Sequence, residues 1–166
     1  MRIEESIVID RPRAEVFAYL ADRRHDAEWM GSVVESEWLD DMAPLSVGRR
    51  GRMTLKVFGK RTETIDEVSE FVPGERVAHR TVKGTFLLNT ACLTAAEGSG
   101  TRTTVTAEAD SLLGGRLGRL ADPLIARAMR RGFKADLRRL KGIVEAVSDG
   151  RGATRVDGPV ATEGRG

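Results

Sequence analysis

His79 is the residue best suited to acid–base chemistry in this sequence. It lies in a predicted strand over residues 75–83, on the same face as Val77 and Thr81. If that face lines an apolar pocket, the imidazole could remove a proton from a carbon beside a carbonyl, the step that an aldol cyclisation needs. The opposite face, which begins at Ala78, could equally point inward, and a partly exposed or hydrogen-bonded strand histidine is the simpler interpretation.

Cysteine and histidine are too scarce for metal or disulfide chemistry. Cys92 is the single cysteine, which excludes an internal disulfide and a multi-cysteine zinc site. His25 and His79 are the two histidines, and they lie at no metal-ligand spacing. Cys92 has apolar neighbours and no base at a matching spacing, so we interpret it as a small core residue. We therefore expect no metal and no cofactor.

Carboxylates beside the predicted histidine strand are the remaining candidates. Asp66 and Glu67 lie on the preceding strand and could partner a cation, although most strand carboxylates are solvated.

Alternating apolar and polar residues predict seven strands that would position these side chains. They cover residues 2–9, 33–39, 51–58, 61–71, 75–83, 86–97 and 101–109. The clearest alternation places Met53, Leu55 and Val57 on one face. We expect a bulge, or two partly covered faces, in the first strand. Short links between the later strands predict an antiparallel meander.

Three helices are predicted around these strands. Asp10 is the expected cap of a helix over 12–21, and a short helical turn follows over 26–30. A long helix is expected over 123–147, with 114–121 as a separate lead-in turn or a kinked extension. Residues 1–147 then form a single domain. The Gly-rich residues 148–166 have no apolar pattern and predict a disordered tail.

The long helix has an apolar stripe that must face the sheet. Met129, Phe133, Leu137 and Leu140 recur at helical spacing, either as plain core or as the roof of a pocket. Gly132 beside them favours a close backbone approach or a widened space, because glycine is unfavourable inside a helix.

Charge is distributed unevenly over the 166 residues, whose formal net charge is +2. Residues 116–141 hold nine basic and two acidic side chains, which gives this segment +7 and leaves −5 for the remainder. A solvated helix face is the simplest interpretation; an anionic membrane, phosphate or an acidic partner is the alternative. Nucleic acid is disfavoured because few aromatic residues lie among the arginines.

Targeting signals are not evident. The N-terminus alternates charged and apolar residues, unlike a signal peptide, and no apolar run approaches the roughly 20 residues that span a bilayer. We expect a cytoplasmic protein without a transmembrane segment. The excess of Arg over Lys and the abundance of Ala and Gly are typical of a bacterial protein from a GC-rich genome.

The predicted order of elements is α+β and resembles a known superfamily. The likeness lies in Ile9-Asp10-Arg11-Pro12 leading into residues 16–22, in Trp29, and in residues 71–77, 100–103 and 136–141. These features are similar to the START-like (SRPBCC) superfamily with its helix-grip fold, and in particular to the bacterial polyketide cyclase/dehydrase and lipid-transport group. The resemblance implies a curved antiparallel sheet of about seven strands around a long C-terminal helix, with two short helices after the first strand.

The resemblance also implies an elongated apolar cavity between sheet and helix. Its members bind, carry or sometimes cyclise hydrophobic small molecules such as lipids, sterols and polyketides. The residues that we expect to contact such a ligand are Trp29, Met53, Leu55, Val57, Thr81, Met129, Phe133 and Leu137. For Trp29, core packing is the simpler interpretation and a place at the cavity mouth is the alternative.

Three functions stay open on the sequence. Binding of a lipid or polyketide-like molecule needs only a pocket. A polyketide cyclase or dehydratase would use His79 as its acid or base. An interaction module would use the basic C-terminal helix. We expect a monomer or a homodimer, with residues 86–96, apolar on both faces, as a dimer contact.

Overall fold

The computed structural model describes residues 1–40, 44–57, 59–85, 87–109 and 115–149. In these residues seven antiparallel strands form one curved sheet in the order β1-β7-β6-β5-β4-β3-β2. The strands are β1 (Arg2–Ile9), β2 (Val33–Trp38), β3 (Arg50–Val57), β4 (Lys60–Val72), β5 (Arg76–Lys83), β6 (Asn89–Glu97) and β7 (Gly100–Glu108). The predicted meander and the α+β class are confirmed.

The helices lie between β1 and β2 and after β7. They are α1 (Arg13–Ala21), a single 3₁₀ turn (Arg23–His25), α2 (Asp26–Trp29) and α3 (Gly115–Asp149). Helix α3 packs mainly along β1, with further contacts to α1 and α2. The two predicted short helices and the long C-terminal helix are therefore present.

Strand β1 departs from the prediction in its regularity. It pairs with β7 without interruption from Arg2–Glu108 to Ile9–Thr101, so the expected bulge is absent. Register shifts occur instead in β2 and β4. A continuous register keeps Ile3, Ile7 and Ile9 on one face, which is the face that the helices cover.

Helix α1 begins without the predicted aspartate cap. Pro12 is the residue before its first turn, with an extended ψ of 141°, and no side chain caps the helix. The carbonyl of Pro12 accepts hydrogen bonds from the amides of Glu15 and Val16. Asp10 is wrong as a cap because the helix begins three residues later, at Arg13, and the Asp10 carboxylate instead accepts a hydrogen bond from Ser99 Oγ over 3.4 Å. The amide of Asp10 donates to Glu145 Oε1 over 2.7 Å, which ties this segment to α3.

Helix α3 is one continuous element. It starts at Gly115, so residues 115–121 are not a separate lead-in turn, and Pro123 lies inside the helix rather than at its start. A proline removes one backbone hydrogen bond, and the remaining bonds of a 35-residue helix hold it together. The helix ends two residues beyond the predicted 147; residues 150–166, most of the predicted disordered tail, lie outside the described residues.

The core lies between the concave face of the sheet and the helices. Its main cluster contains Ile9, Val16, Leu20, Trp29, Val105, Leu137, Leu140 and Val144. A second cluster joins Phe17 of α1 to Val68 and Val77 on the neighbouring strands β4 and β5. Both clusters bury apolar side chains from α1, so α1 is wedged into the curve of the sheet.

Candidate functional site

The strand register decides which face of β5 points inward. Val77 pairs with Cys92 and His79 pairs with Thr90, while Cys92 in turn pairs with the buried Val105 of β7. Paired residues lie on the same face of a sheet. His79 therefore lies on the concave face beside Val77, and Arg80 lies on the outer face.

The predicted apolar face of β3 points the same way. Met53 pairs with Thr64 of β4 and with Ser36 of β2, and Leu55 pairs with Thr62. Ser36 donates a hydrogen bond to Asp26 of α2, which fixes this side of the sheet as the one beneath the helices. Met53, Leu55 and Val57 are all only half-buried there.

The predicted ligand contacts on the helices differ in burial. Trp29 and Leu137 are 2% and 1% exposed and pack together in the main core cluster. Phe133 is half-buried against that cluster, and Met129 is half-buried one turn earlier in α3. As ligand contacts these residues stay predictions.

Gly132 does not mark a close approach between α3 and the sheet. It is exposed, and a Cβ atom built at this position would meet nothing within 4 Å. The expectation of close backbone approach is wrong, because Gly132 lies on the solvent side of the stripe formed by Met129, Phe133 and Leu137.

A buried polar cluster occupies the concave face beside His79. Arg23, from the 3₁₀ turn, forms an ion pair with Asp66 of β4, and the two side chains are 3% and 13% exposed. Arg23 Nη2 also lies 3.4 Å from His79 Nδ1. We call Arg23, Asp66 and His79 the polar cluster.

A second carboxylate lies next to the polar cluster. Asp26 of α2 is 6% exposed and accepts a hydrogen bond of 2.9 Å from Ser36 Oγ. The pKa of Asp26 is raised to about 7, mainly by burial and to a smaller extent by Asp66 and Asp22, while Arg23 and Ser36 oppose the increase. This carboxyl therefore holds its proton well above the pH at which an ordinary aspartate loses it.

The imidazole of His79 is held neutral by its surroundings. The pKa of His79 is lowered to about 4, mainly by burial and also by the positive charge of Arg23, while Asp66 acts in the opposite direction. A charged imidazole would be both desolvated and next to a guanidinium. At neutral pH the ring is neutral.

Trp38 of β2 supports the cluster from its other side. Its ring centroid lies 5.1 Å from Cζ of Arg23 and 4.2 Å from Cζ of Arg49, so two guanidinium groups pack on one indole. The ring of His79 lies 6.4 Å away, tilted by 34°. Such cation–π contacts hold Arg23 in position.

Sequence reasoning missed Arg23, Asp26 and Trp38 as members of this site. The available signal was the polar run of residues 22–26, which interrupts an apolar helix, and the carboxylate at Asp66. Asp66 does pair with a cation, as considered from the sequence, whereas Glu67 pairs with Arg50 and Arg80 on the outer face.

Cys92 is part of the core. It packs against both apolar clusters, and burial raises the pKa of its thiol to about 12. A thiol that stays protonated at neutral pH is a poor nucleophile. The interpretation of Cys92 as a small core residue fits this placement.

Two open cavities lie at the margins of the sheet. The larger, of about 450 Å³, is lined by Met1, Thr81, Leu87, Leu88 and Ala109 among others, at the end of β5. The second, of about 370 Å³, lies beside β2 and is lined by charged residues such as Arg24 and Glu35. Thr81 is the one predicted ligand contact among the lining residues of these two cavities.

The basic residues of α3 divide into structural and exposed ones. Arg139 donates to the carbonyl of Trp29, and Lys141 donates to the carbonyl of Val8. Lys134 lies 3.7 Å from Glu5. Arg127, Arg130, Arg131 and Arg138 are exposed. Part of the positive charge thus serves to dock α3 on the sheet.

The described residues also bear on metals and membranes. No helix among them is long and apolar enough to cross a membrane. In the same ranges, no three His, Cys, Asp or Glu side chains gather as a metal site would require.

A curved seven-stranded antiparallel sheet around a long C-terminal helix, with a polar cluster on its concave face, defines a protein of the START-like, helix-grip class. The family model for polyketide cyclase/dehydrase and lipid transport matches residues 1–145. The chain belongs to this family.

Solved structures share the fold at low sequence identity. TTHA0849 from Thermus thermophilus is 21% identical with a TM-score of 0.75, over 89% of this chain and 99% of that one. The Zhui aromatase/cyclase from a Streptomyces species is 17% identical with a TM-score of 0.72, over 89% and 95%. A START superfamily protein from Mycobacterium smegmatis is 14% identical with a TM-score of 0.70, over 88% and 98%. No curated protein matches the sequence significantly.

Proposed function

We propose that this protein binds a hydrophobic small molecule, of lipid or polyketide-like character, on the concave face of the sheet beneath α3. One observation carries the proposal: apolar side chains at the β3 end of this face stay partly exposed, whereas those on β1 and β7 are fully buried. On β1 and β7, Ile3, Ile9 and Ala107 are at most 2% exposed. On β3, Met53 and Leu55 share the same face and stay half-exposed.

An apolar surface that the fold leaves uncovered is available to a ligand. Ligand sites are mostly apolar with a few placed polar groups, and the polar cluster supplies these groups beside the apolar strip of β3. The half-buried Met129 and Phe133 of α3 would contact the ligand from the helix side. Methionines suit such a surface because thioethers adapt to irregular apolar shapes.

The experiment is a binding titration with Nile red, a neutral apolar dye that fluoresces in apolar surroundings. Leu55→Glu places a charge on the concave face, and Lys56→Glu places the same charge one residue along β3 on the outer face. We expect Leu55→Glu to weaken dye binding by about tenfold or more and Lys56→Glu to leave it unchanged. Equal affinity in both variants, with circular dichroism showing both folded, would contradict the proposal.

A cyclase or dehydratase that uses His79 is the second candidate function. The observation in its favour is the position of His79 on the concave face, within the polar cluster. The lowered pKa of His79 makes the ring a weak base, so stabilisation of an enolate oxygen by an N–H group suits it better than proton removal.

Deuterium exchange at the methylene group of a β-diketone tests this second candidate. We expect the wild type to accelerate exchange and His79→Gln to lose the acceleration while Nile red still binds. If the β-diketone exchanges no faster with the wild-type protein than in buffer, the cyclase or dehydratase hypothesis is contradicted, and binding remains the proposed function.

The other expectations from the sequence also stay proposals. An interaction role for the basic face of α3 is supported by the exposed Arg127, Arg130 and Arg131. A bacterial source, a cytoplasmic location and a monomeric or homodimeric state stay predictions.

A further inference from the structure

The polar cluster has a charge balance that selects among hydrophobic ligands. Arg23 is buried, and its positive charge is neutralised by Asp66 through a direct ion pair. Asp26 and Asp22 lie close enough to act on the same groups. The cluster therefore offers no uncompensated positive charge to a ligand.

The contact between Arg23 and His79 fixes the tautomer of the imidazole. A guanidinium has N–H donors and no acceptor, so His79 Nδ1 faces Arg23 with its lone pair. A neutral imidazole carries one proton, which must then lie on Nε2. His79 Nε2 is consequently a hydrogen-bond donor.

Within the part of the chain that the structure describes, this donor has no hydrogen-bond partner. Among the described residues, no hydrogen bond is made by Nε2, although Nδ1 is engaged with Arg23. His79 is only half-buried, so its ring is in contact with the accessible space of the concave face. The half-buried Thr81 and Thr90 are its neighbours on β5 and β6.

A single neutral donor beside a charge-balanced ion pair matches an uncharged oxygen. A carbonyl or hydroxyl oxygen accepts the Nε2–H bond with little desolvation cost. A carboxylate would have to lose its hydration beside Asp66 without a free cation in reach, which is costly. Glu5 faces inward from β1 and lies next to Lys134, so this lysine is already paired with a carboxylate of the protein.

We propose that the site selects hydrophobic ligands with a neutral carbonyl or hydroxyl oxygen over carboxylates of the same chain length, with His79 Nε2–H as the donor. This inference rests on the proposed binding function. It names the ligand class for that same concave surface.

The test compares dodecanone, dodecanoate and dodecane as competitors of Nile red at neutral pH. Dodecanone should bind about tenfold or more tightly than dodecanoate. His79→Phe should weaken dodecanone binding by about five- to tenfold, the effect of one hydrogen bond, and leave dodecane unchanged. Arg80→Gln, the neighbouring position on the outer face of β5, is the control and should change none of the three.

The possible failures separate the two proposals. Tighter binding of dodecanoate than of dodecanone, or an equal loss of all three probes in His79→Phe, overturns the selectivity and leaves hydrophobic binding intact. Absence of Nile red binding overturns both.

A second measurement bears on the tautomer without any ligand. Long-range proton–nitrogen NMR correlations should show His79 protonated at Nε2. His25 is the internal comparison, because its Nδ1 lies 2.9 Å from a carboxylate oxygen of Glu28 and must donate there. A His79 ring protonated at Nδ1 would remove the donor and overturn the inference.

Discussion

The guanidinium of Arg23 lies directly against the backbone of Gly51. A Cβ atom at position 51 would stand 2.6 Å from Cζ and 2.7 Å from Cδ of Arg23, which is closer than carbon atoms approach. Gly51 pairs with Asp66 across β3 and β4. The missing side chain on β3 is what lets Arg23 cross this strand and reach Asp66.

Gly51→Ala should therefore disturb the polar cluster. The added methyl group must displace the Arg23 side chain, and overpacking of this kind costs about 1–3 kcal/mol in the free energy of unfolding. Urea denaturation followed by circular dichroism measures the change. A variant as stable as the wild type would mean that Arg23 can reach Asp66 by another route.

Gly132→Ala is the matched control for Gly51→Ala, because a Cβ atom at position 132 would meet no other atom within 4 Å. Position 132 is exposed and inside α3, so alanine adds helix propensity without a clash. We expect the free energy of unfolding to rise by up to about 1 kcal/mol in the same denaturation assay. A loss of stability would show that Gly132 has a packing role after all.

Breaking the Arg23–Asp66 pair should lower the free energy of unfolding by more than Gly51→Ala does. Arg23→Met leaves a buried carboxylate without its partner, and removal of one member of a buried pair costs about 3–5 kcal/mol. Replacement of both residues, Arg23→Met with Asp66→Leu, should cost less than the sum of the single changes, because no buried charge is then left alone.

The control for this cycle is the ion pair of Arg2 and Glu4, whose side chains are 67% and 56% exposed. Its removal should change the free energy of unfolding by less than about 1 kcal/mol. Additive effects of Arg23→Met and Asp66→Leu would show that the buried pair is not energetically coupled.

Asp26 should make stability depend on pH. Its pKa in the folded protein, about 7, lies above the usual aspartate value of about 3.9, so the folded state holds the proton more tightly. The stability that Asp26 contributes is present at low pH and is lost as the pH rises through this window. Asp26→Asn removes the effect, so its stability relative to the wild type should rise with pH, by up to about 1.4 kcal/mol per pH unit.

The pH dependence of stability that His79 contributes has the opposite sign to that of Asp26 and serves as the comparison. Its folded pKa of about 4 lies below the usual histidine value of about 6.5, so its contribution is lost as the pH falls through that range. His79→Gln should therefore gain stability relative to the wild type as the pH falls. Parallel pH profiles for wild type, Asp26→Asn and His79→Gln would contradict both assignments.

The sequence by itself determined the elements and one face of the site. Alternation in β3 places Met53, Leu55 and Val57 together because side chains of a strand point to opposite sides in turn, whatever lies around it. The stripe of Met129, Phe133 and Leu137 follows in the same way from the helical period. These are local properties, and the seven strands and the long helix were predicted from them.

The tertiary structure decided which face of β5 points inward and how α1 begins. Both faces of β5 carry apolar residues, so alternation could not choose between Val77 and Ala78; the pairing of Val77 with Cys92 made the choice. Asp10 was expected to cap α1, but the helix begins only at Arg13, and the Asp10 carboxylate accepts a hydrogen bond from Ser99, a residue 89 positions away. Hydrogen bonds of that range leave no local trace.

The polar cluster likewise exists only in the folded chain. Arg23 and Asp66 are 43 positions apart. In the sequence, each resembles an ordinary solvated charged residue in a polar stretch. The curvature of the sheet and the gap at Gly51 bring them together and bury both. Burial in the same place is the main cause of the altered pKa values of His79 and Asp26.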